Sequence, residues 1–540
     1  MRQWGSSVYH NGMGLIPATV PKGTLMYHGT RSNSTPEGPE WLAFEMEHSE
    51  NFARSWRGRW APPGRGGGGG GLPGGPHGGQ PIDPGQKPLG GGEEEDDDDD
   101  EKRPPRWSPG RGYLHTYRAN RDLKLLYIDG MAAGKTAMGT LDTQDYLLRG
   151  LGEAPSFGEM ERARDLCGTV KGWGLDGVIR MEIGFESIFC DFSDGLDPVS
   201  VLRRPWNDQA EGEHVIDMFE WARAVGQRYD GIGAGRVRLD FGRMVSALWY
   251  PLDSASSAPA AGGGRGEMPR LGPLAEGERR AILGRLEEVV RGAGGGGGGT
   301  VDWQGIVDMV VARYGDRIEA LADEGEDGGD EAFVAQVLVV TNSFVDYPRD
   351  ASDLVASAAR GGEEEEEGEE EEDYVKEARE RCAANPLAPA RARRGEWTPE
   401  DGMIHAAVSA VAERVCGDLF DVRGLVLGAA PALAGAFSRA EIRNVVAAAA
   451  DGDGKKETTL GEAVERGRAA IKALKRDLGW TGWRKCKPGC GVAEVCFIAM
   501  WPFGYREDHF HPSCRNRSAM VGRSEPGGAG ERYWDWEPRV

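Results

Sequence analysis

The sequence predicts an α+β protein, with a sheet-rich N-terminal half, a mainly helical C-terminal half and a cysteine-rich end. Three observations lead there. Short β-branched and aromatic runs bounded by Gly, Asp or Asn crowd residues 112 to 206. Amphipathic spacing of three and four takes over after residue 276. Four of the eight cysteines fall between Cys486 and Cys514.

In chain order, residues 23 to 56 carry GTLMYHGT, read as a strand, and EWLAFEMEHSENFARS, a second strand leading into a helix. Residues 61 to 110 run from PPGRGGGGGGLPGGPHGGQ into GEEEDDDDDEKRPPR. Such a composition buries too little apolar surface to offset its ordering entropy, so it reads as a disordered insertion within one domain. LHTYRA, LKLLYID, DGVIRM and FESIFCDF are the next strands, with SFGEMERARDLCGTVKGWG as a helix between them, stopped by Gly. HVIDMFEWARAVGQRY reads as a helix and GRVRLDFGRMVSALWY as one more strand. The resulting layout is a domain over 1 to 250, a linker over 251 to 275, a helical domain over 276 to 478 with an acidic disordered run at 361 to 373, and a Cys/Trp-rich segment over 479 to 540.

Charge and hydropathy exclude two classes of partner. The formal net charge is −23, yet nine acids lie in residues 93 to 101 and ten in 363 to 373; without those nineteen about −4 remains. A nearly neutral folded part offers no broad basic surface for nucleic acid. No window approaches the ~18 consecutive apolar residues of a transmembrane helix.

The start, MRQWGSSVYHNGMG, has no apolar h-region. The clustered cysteines nevertheless favour an oxidising compartment, and two sequons, Asn33-Ser34-Thr35 and Asn516-Arg517-Ser518, fit it. The expectation is a secretory protein whose start is truncated or mis-assigned, with a cytoplasmic location as the alternative. Cys486, Cys490, Cys496 and Cys514 suit two disulfides better than zinc, because their spacing is poor for a ribbon or finger, and connectivity stays open. Cys167 and Cys190 are readable as a bridge or as buried thiols.

The chemistry-bearing pattern lies in the first block. A strand ends Tyr27-His28-Gly29-Thr30; Trp41-Leu42-Ala43 follows, with Ser49 eight residues and Phe52 eleven residues after Trp41. Downstream, Gly174-Leu175-Asp176-Gly177-Val178-Ile179 precedes Phe185-Glu186-Ser187-Ile188. These residues resemble the NAD-binding core of ADP-ribosyltransferases, in particular the poly(ADP-ribose) polymerase branch. The resemblance implies a split antiparallel sheet, NAD as substrate and transfer of ADP-ribose to a protein acceptor or to water. By the same resemblance Glu186 and His28 are the catalytic candidates, with Glu182 as the nearby rival of Glu186, while Gly29, Thr30, Trp41, Ser49 and Phe52 bind the cofactor. Trp41 departs from the Tyr usual in that branch, and its larger ring would crowd the nicotinamide.

Elementary chemistry accounts for the residue types. Breaking the nicotinamide–ribose bond builds positive charge on the sugar, which a carboxylate stabilises more in the transition state than in the ground state. A glycine after the histidine would admit the carboxamide to the backbone; Trp41 and Phe52 would stack on the nicotinamide, worth ~0.5–1.5 kcal/mol per aromatic pair. The bland alternatives are a strand-to-turn tripeptide at His28, core packing by Trp41 and Phe52, and a solvated acid at Glu186.

Over its whole length the chain also resembles a group of uncharacterised, mostly secreted fungal proteins, through GTLMYHG, PEWLAFEMEHS, YIDGMAAGKTAMGTLDTQD, DGVIRMEIGFESIFCDF and EVCFIAMWPFG. That resemblance names no activity; the alternative to catalysis is a non-catalytic, secreted, disulfide-stapled structural or interaction protein. Two further motifs carry little. Gly130 to Thr136 is one residue short of a Walker loop, and Gly231 to Gly235 precedes a strand where a dinucleotide fingerprint follows one. No metal site is expected.

Overall fold

Strands form at each of the apolar runs between residues 23 and 192. In the computed structural model, which describes residues 1–9, 13–55, 110–134, 139–151, 158–206, 216–252, 255–258, 268–271, 274–292, 301–323, 329–347, 369–450, 459–500 and 503–520, they build one curled sheet. Its members are β1 (Gly14–Val20), β2 (Leu25–Thr30), β3 (Glu40–Ala43), β4 (Tyr113–Ala119), β5 (Leu123–Ile128), β6 (Gly177–Met181), β7 (Phe185–Phe189), β8 (Leu196–Arg203), β9 (Arg238–Leu239) and β10 (Val245–Ser246). The spatial order is β10-β1-β5-β6-β7-β3-β2-β4-β8, with β9 beside β1.

The sheet is mixed where an antiparallel one was expected. β5 and β6 run parallel, because the connection between them contains helix α3 (Glu159–Gly172) and is long enough for a crossover. Every other strand pair in this sheet is antiparallel. β3, β6 and β7 are buried at every position, which explains their continuous apolar runs.

One joint of the sheet is nearly unpaired. β2 and β3 share a single registered pair, Tyr27 with Ala43, so the two strands diverge beyond it. Helix α2 (Met46–Glu50) lies against this opening.

Apolar layers cover both faces. One core joins Trp4, Met26, Phe44 and Phe185 to Phe497 and Met500 from the cysteine-rich end. The other gathers Leu15, Trp41, Leu126 and Ile188 with Leu166 of α3 and Ile282 and Leu286 of α5 (Glu276–Gly292). Accordingly the chain divides into one unit of residues 1–298 with 484–540 and another of residues 299–483. Helix α5 was expected to open the helical domain; its apolar stripe is instead buried on the sheet. Within the expected linker, β11 (Ala255–Ala258) pairs with β12 (Met268–Leu271). The insertion at 61 to 109 lies outside the described residues, as do 361 to 368 of the acidic run. The rest of that run, 369 to 373, lies at the start of helix α8 (Glu369–Ala384).

The second unit is helical. It contains α6 (Trp303–Ala322), α7 (Asp330–Asn342), α8 and the helices Pro399–Ala429, Arg439–Ala450 and Leu460–Leu478. Thr398 with Asp401 and Thr459 with Glu462 form capping boxes that start two of them. Phe333, Val337, Phe420, Val426, Ile471 and Leu474 share its core.

All eight cysteines are paired, as Cys167–Cys190, Cys382–Cys416, Cys486–Cys496 and Cys490–Cys514. The last two staple a small hairpin of β13 (Val495–Phe497) and β14 (Ser513–Arg515). Among the described residues no helix is long and apolar enough to cross a membrane.

Candidate functional site

The opening between β2 and β3 holds a recess lined by His28, Gly29, Trp41, Ala43, His48, Ser49, Phe52 and Glu186. Six of the seven residues singled out in the sequence therefore meet there. The seventh, Thr30, is buried at the end of β2, where its hydroxyl accepts from the Ser32 amide at 3.3 Å. Glu182 sits in the turn before β7 and is not among the lining residues.

Register brings the carboxylate in. Ala43 pairs with Glu186 and Trp41 with Ile188, so Trp41, Ala43 and Glu186 share one face across β3 and β7. His28 crosses the gap from the other side. Its Nδ1 lies 2.8 Å from the Trp41 carbonyl, which can only accept, so Nδ1 carries the proton and Nε2 is left as an acceptor. The imidazole thus bridges strands whose backbones have separated. Burial lowers its pKa to about 4, with the neighbouring His115 adding to the effect, so the ring is neutral at physiological pH.

Glu186 is fully enclosed and doubly contacted. Arg180, its cross-strand partner on β6, donates from Nε to one carboxylate oxygen at 2.9 Å. His48 Nε2 stands 3.8 Å from the other oxygen. Burial alone would raise the Glu186 carboxyl, but the Arg180 guanidinium and the His48 donor outweigh it and hold the group below the usual carboxylate range. Arg180 also pairs with Glu159, Glu159 with Arg162, and Arg162 with Asp145 at 2.8 Å. A buried line of alternating charges thus anchors the acid to α3.

Packing gives two of these residues a structural role of their own. Gly29 is required because a Cβ there would come within 1.9 Å of the Ser49 carbonyl, so the helix, rather than a ligand, excludes a side chain. The Ser49 hydroxyl is engaged with the Tyr27 carbonyl at 2.8 Å, which ties α2 to β2.

His48 and Arg180 went unnoticed in the sequence. A lone arginine inside the apolar run DGVIRM, six residues before a buried acid, was the available signal for Arg180. His48 offered none, because its role depends on Trp221 of α4 (Met218–Gly226), whose indole Nε1 donates to His48 Nδ1 at 3.2 Å. An indole N–H can only donate, so Nδ1 accepts and Nε2 bears the proton. That tautomer bears on metal binding. His48, Glu182 and Glu186 bring their polar atoms within 4.8 Å of one another, but a protonated Nε2 cannot ligate a cation while the Trp221 bond is kept. Cys486, Cys490 and Cys496, which also cluster, are spoken for by disulfides.

The recess is small, about 10 Å³, which is room for roughly one water molecule. Chemically it offers a shielded carboxylate, a neutral imidazole acceptor and an N–H donor on His48.

Such a site, set in the divided joint of a curled mixed sheet, describes an α+β domain with one enclosed carboxylate–imidazole centre. Residues 1–212 match the family model of the YPL277C N-terminal domain. The chain is 26% identical to "Uncharacterized protein YOR389W" of Saccharomyces cerevisiae over 95% of its own length and 82% of that protein's. It is 40% identical over 215 residues to "Uncharacterized protein YPL277C" of the same yeast, covering 37% of this chain and 40% of the relative. These matches support a fungal family of uncharacterised proteins, in agreement with the second resemblance read from the sequence. No solved structure matches the chain.

Proposed function

We propose that the N-terminal unit binds NAD at the opening between β2 and β3 and cleaves its nicotinamide–ribose bond, passing ADP-ribose to a protein side chain or to water. The observation that carries this reading is the convergence of His28 and Glu186, far apart in the chain, on one recess with Trp41, Ser49 and Phe52. In this reading Glu186, ionised and oriented by Arg180, stabilises the positive charge that develops on the ribose. His28 Nε2 accepts from a ribose hydroxyl. Nicotinamide departs neutral, so no general acid is needed. Because the recess is far smaller than a nicotinamide ring, this reading includes an outward movement of Phe52 and α2 on binding.

A second reading is favoured by the same geometry: a secreted, non-catalytic protein that keeps the architecture without the reaction. The Arg180–Glu186 pair, the engaged Ser49 hydroxyl and the one-water volume all support it.

Glu186→Gln separates the two. Gln keeps an oxygen for Arg180, so the variant should fold with a loss of about 1–3 kcal/mol. Catalysis requires the wild type to release nicotinamide from NAD and the variant to lose that release. It also requires NAD at about 100 times its dissociation constant to add roughly 2.7 kcal/mol of stability. Neither nicotinamide release nor a thermal shift by the wild type leaves the non-catalytic reading standing.

A further inference from the structure

We propose that this chain is N-glycosylated at Asn516 and Asn33. The two sequons that contain them are the starting point, and what the fold does with each is the argument.

Asn516 follows β14 and is exposed, as are Arg517, Ser518 and Ala519 after it. Its side-chain oxygen accepts from the Ser518 hydroxyl at 2.8 Å and from the Ala519 amide at 3.0 Å, capping the helical turn Arg517–Met520. Both bonds use Oδ1 alone. Replacing one Nδ2 hydrogen by a sugar therefore leaves the cap intact. Cys514 in the Cys490–Cys514 bridge holds the segment on one side, and Arg517, paired with Asp217 and with Glu220 at 2.6 Å, holds it on the other. A glycan there would sit on a firmly anchored, outward surface.

Asn33 lies on the loop between β2 and β3 and is likewise exposed, with Ser32, Ser34 and Thr35 exposed around it. The loop is pinned from beneath, since His115 Nε2 lies 2.8 Å from the Ser32 carbonyl and the Ser32 and Ser34 hydroxyls meet at 2.7 Å. Neither asparagine belongs to any of the apolar cores.

Compartment is the second, independent line. Oligosaccharide transfer happens where disulfides form, and eight of eight cysteines are bridged here. In the reaction the asparagine Nδ2 attacks the anomeric carbon of a lipid-pyrophosphate-linked oligosaccharide. An N–C bond forms, the C–O bond to pyrophosphate breaks, the lipid pyrophosphate leaves and the amide proton is released. No oxidant or reductant is involved.

The test uses the full chain isolated from its native cells, with intact mass measured before and after peptide-N-glycosidase F. The enzyme should lower the mass and convert Asn33 and Asn516 to Asp. Asn33→Gln and Asn516→Gln should each remove one glycan step on a gel and together remove both. A native chain whose mass equals that of the bare polypeptide overturns the proposal, whatever its cysteine oxidation state. Modification at one asparagine alone overturns the assignment of the other.

Discussion

At the scale of single residues, two buried titratable groups give the sheet unit opposite responses to pH. His28 has its pKa lowered by burial from 6.5 to about 4. Above pH 6.5 neither the folded nor the unfolded ring is charged, and nothing is lost. As pH falls from 6.5 toward 4 the unfolded state takes up the proton first, so stability declines by roughly 3 kcal/mol in all. Glu40, at the head of β3, has its carboxyl raised by burial to about 8, against the pull of a hydrogen bond with the Trp41 backbone. Its contribution is complete below pH 4.5 and is lost as pH rises through 8, because the unfolded carboxyl ionises first. Calorimetric melting across pH 4 to 9 should therefore show a decline at both ends. His28→Asn should flatten the acid side and Glu40→Gln should raise the melting temperature at pH 9. Unchanged slopes in these variants would remove the titrations as the cause. The histidine stood out in the sequence because it ends a strand before Gly; that it spans a gap by bonding to the Trp41 carbonyl depends on a pairing across thirteen residues that no local pattern encodes.

At the scale of elements, the strands and helices were largely legible, since LHTYRA, LKLLYID, DGVIRM and FESIFCDF each become a strand where periodicity and composition put them. The misreadings have physical causes. GRVRLDFGRMVSALWY alternates like a strand but yields only the two-residue β9 and β10, with one 3-10 turn between them and another after, because it pairs with β1 in short stretches. The helix begun at Pro399 runs unbroken to Ala429, because Leu419, Phe420, Val422 and Val426 continue the buried face. Its start is well marked by Thr398, whose hydroxyl accepts from the Asp401 amide at 3.1 Å while the Asp401 carboxylate accepts from the Thr398 amide at 2.9 Å. Thr398→Ala should cost about 1 kcal/mol in chemical denaturation of the helical unit. A change below about 0.3 kcal/mol would show that packing alone fixes this helix start.

At the scale of the whole molecule, the helical unit is one unbroken stretch with its own core, its own capping boxes and the Cys382–Cys416 bridge. Residues 299–483 produced alone should give a helical circular-dichroism spectrum and a single cooperative melt; a broad, non-cooperative loss of signal would contradict its independence. The sheet unit is different in kind. Its first core needs Trp4 and Met26 from the beginning of the chain and Phe497, Ile498 and Met500 from near its end. The same late segment reaches the recess indirectly, since Phe503 packs edge-on against Trp221 at 5.3 Å and Trp221 orients His48.

That interleaving sets an order on biosynthesis. A ribosome releases the early strands long before the residues that finish their hydrophobic cover, while the intervening helices are still being made. Until residues 495–520 have been made, the part of that cover supplied by Phe497, Ile498 and Met500 is missing, and a nascent chain cut short before them would leave bare apolar surface that chaperones must shield or proteases remove.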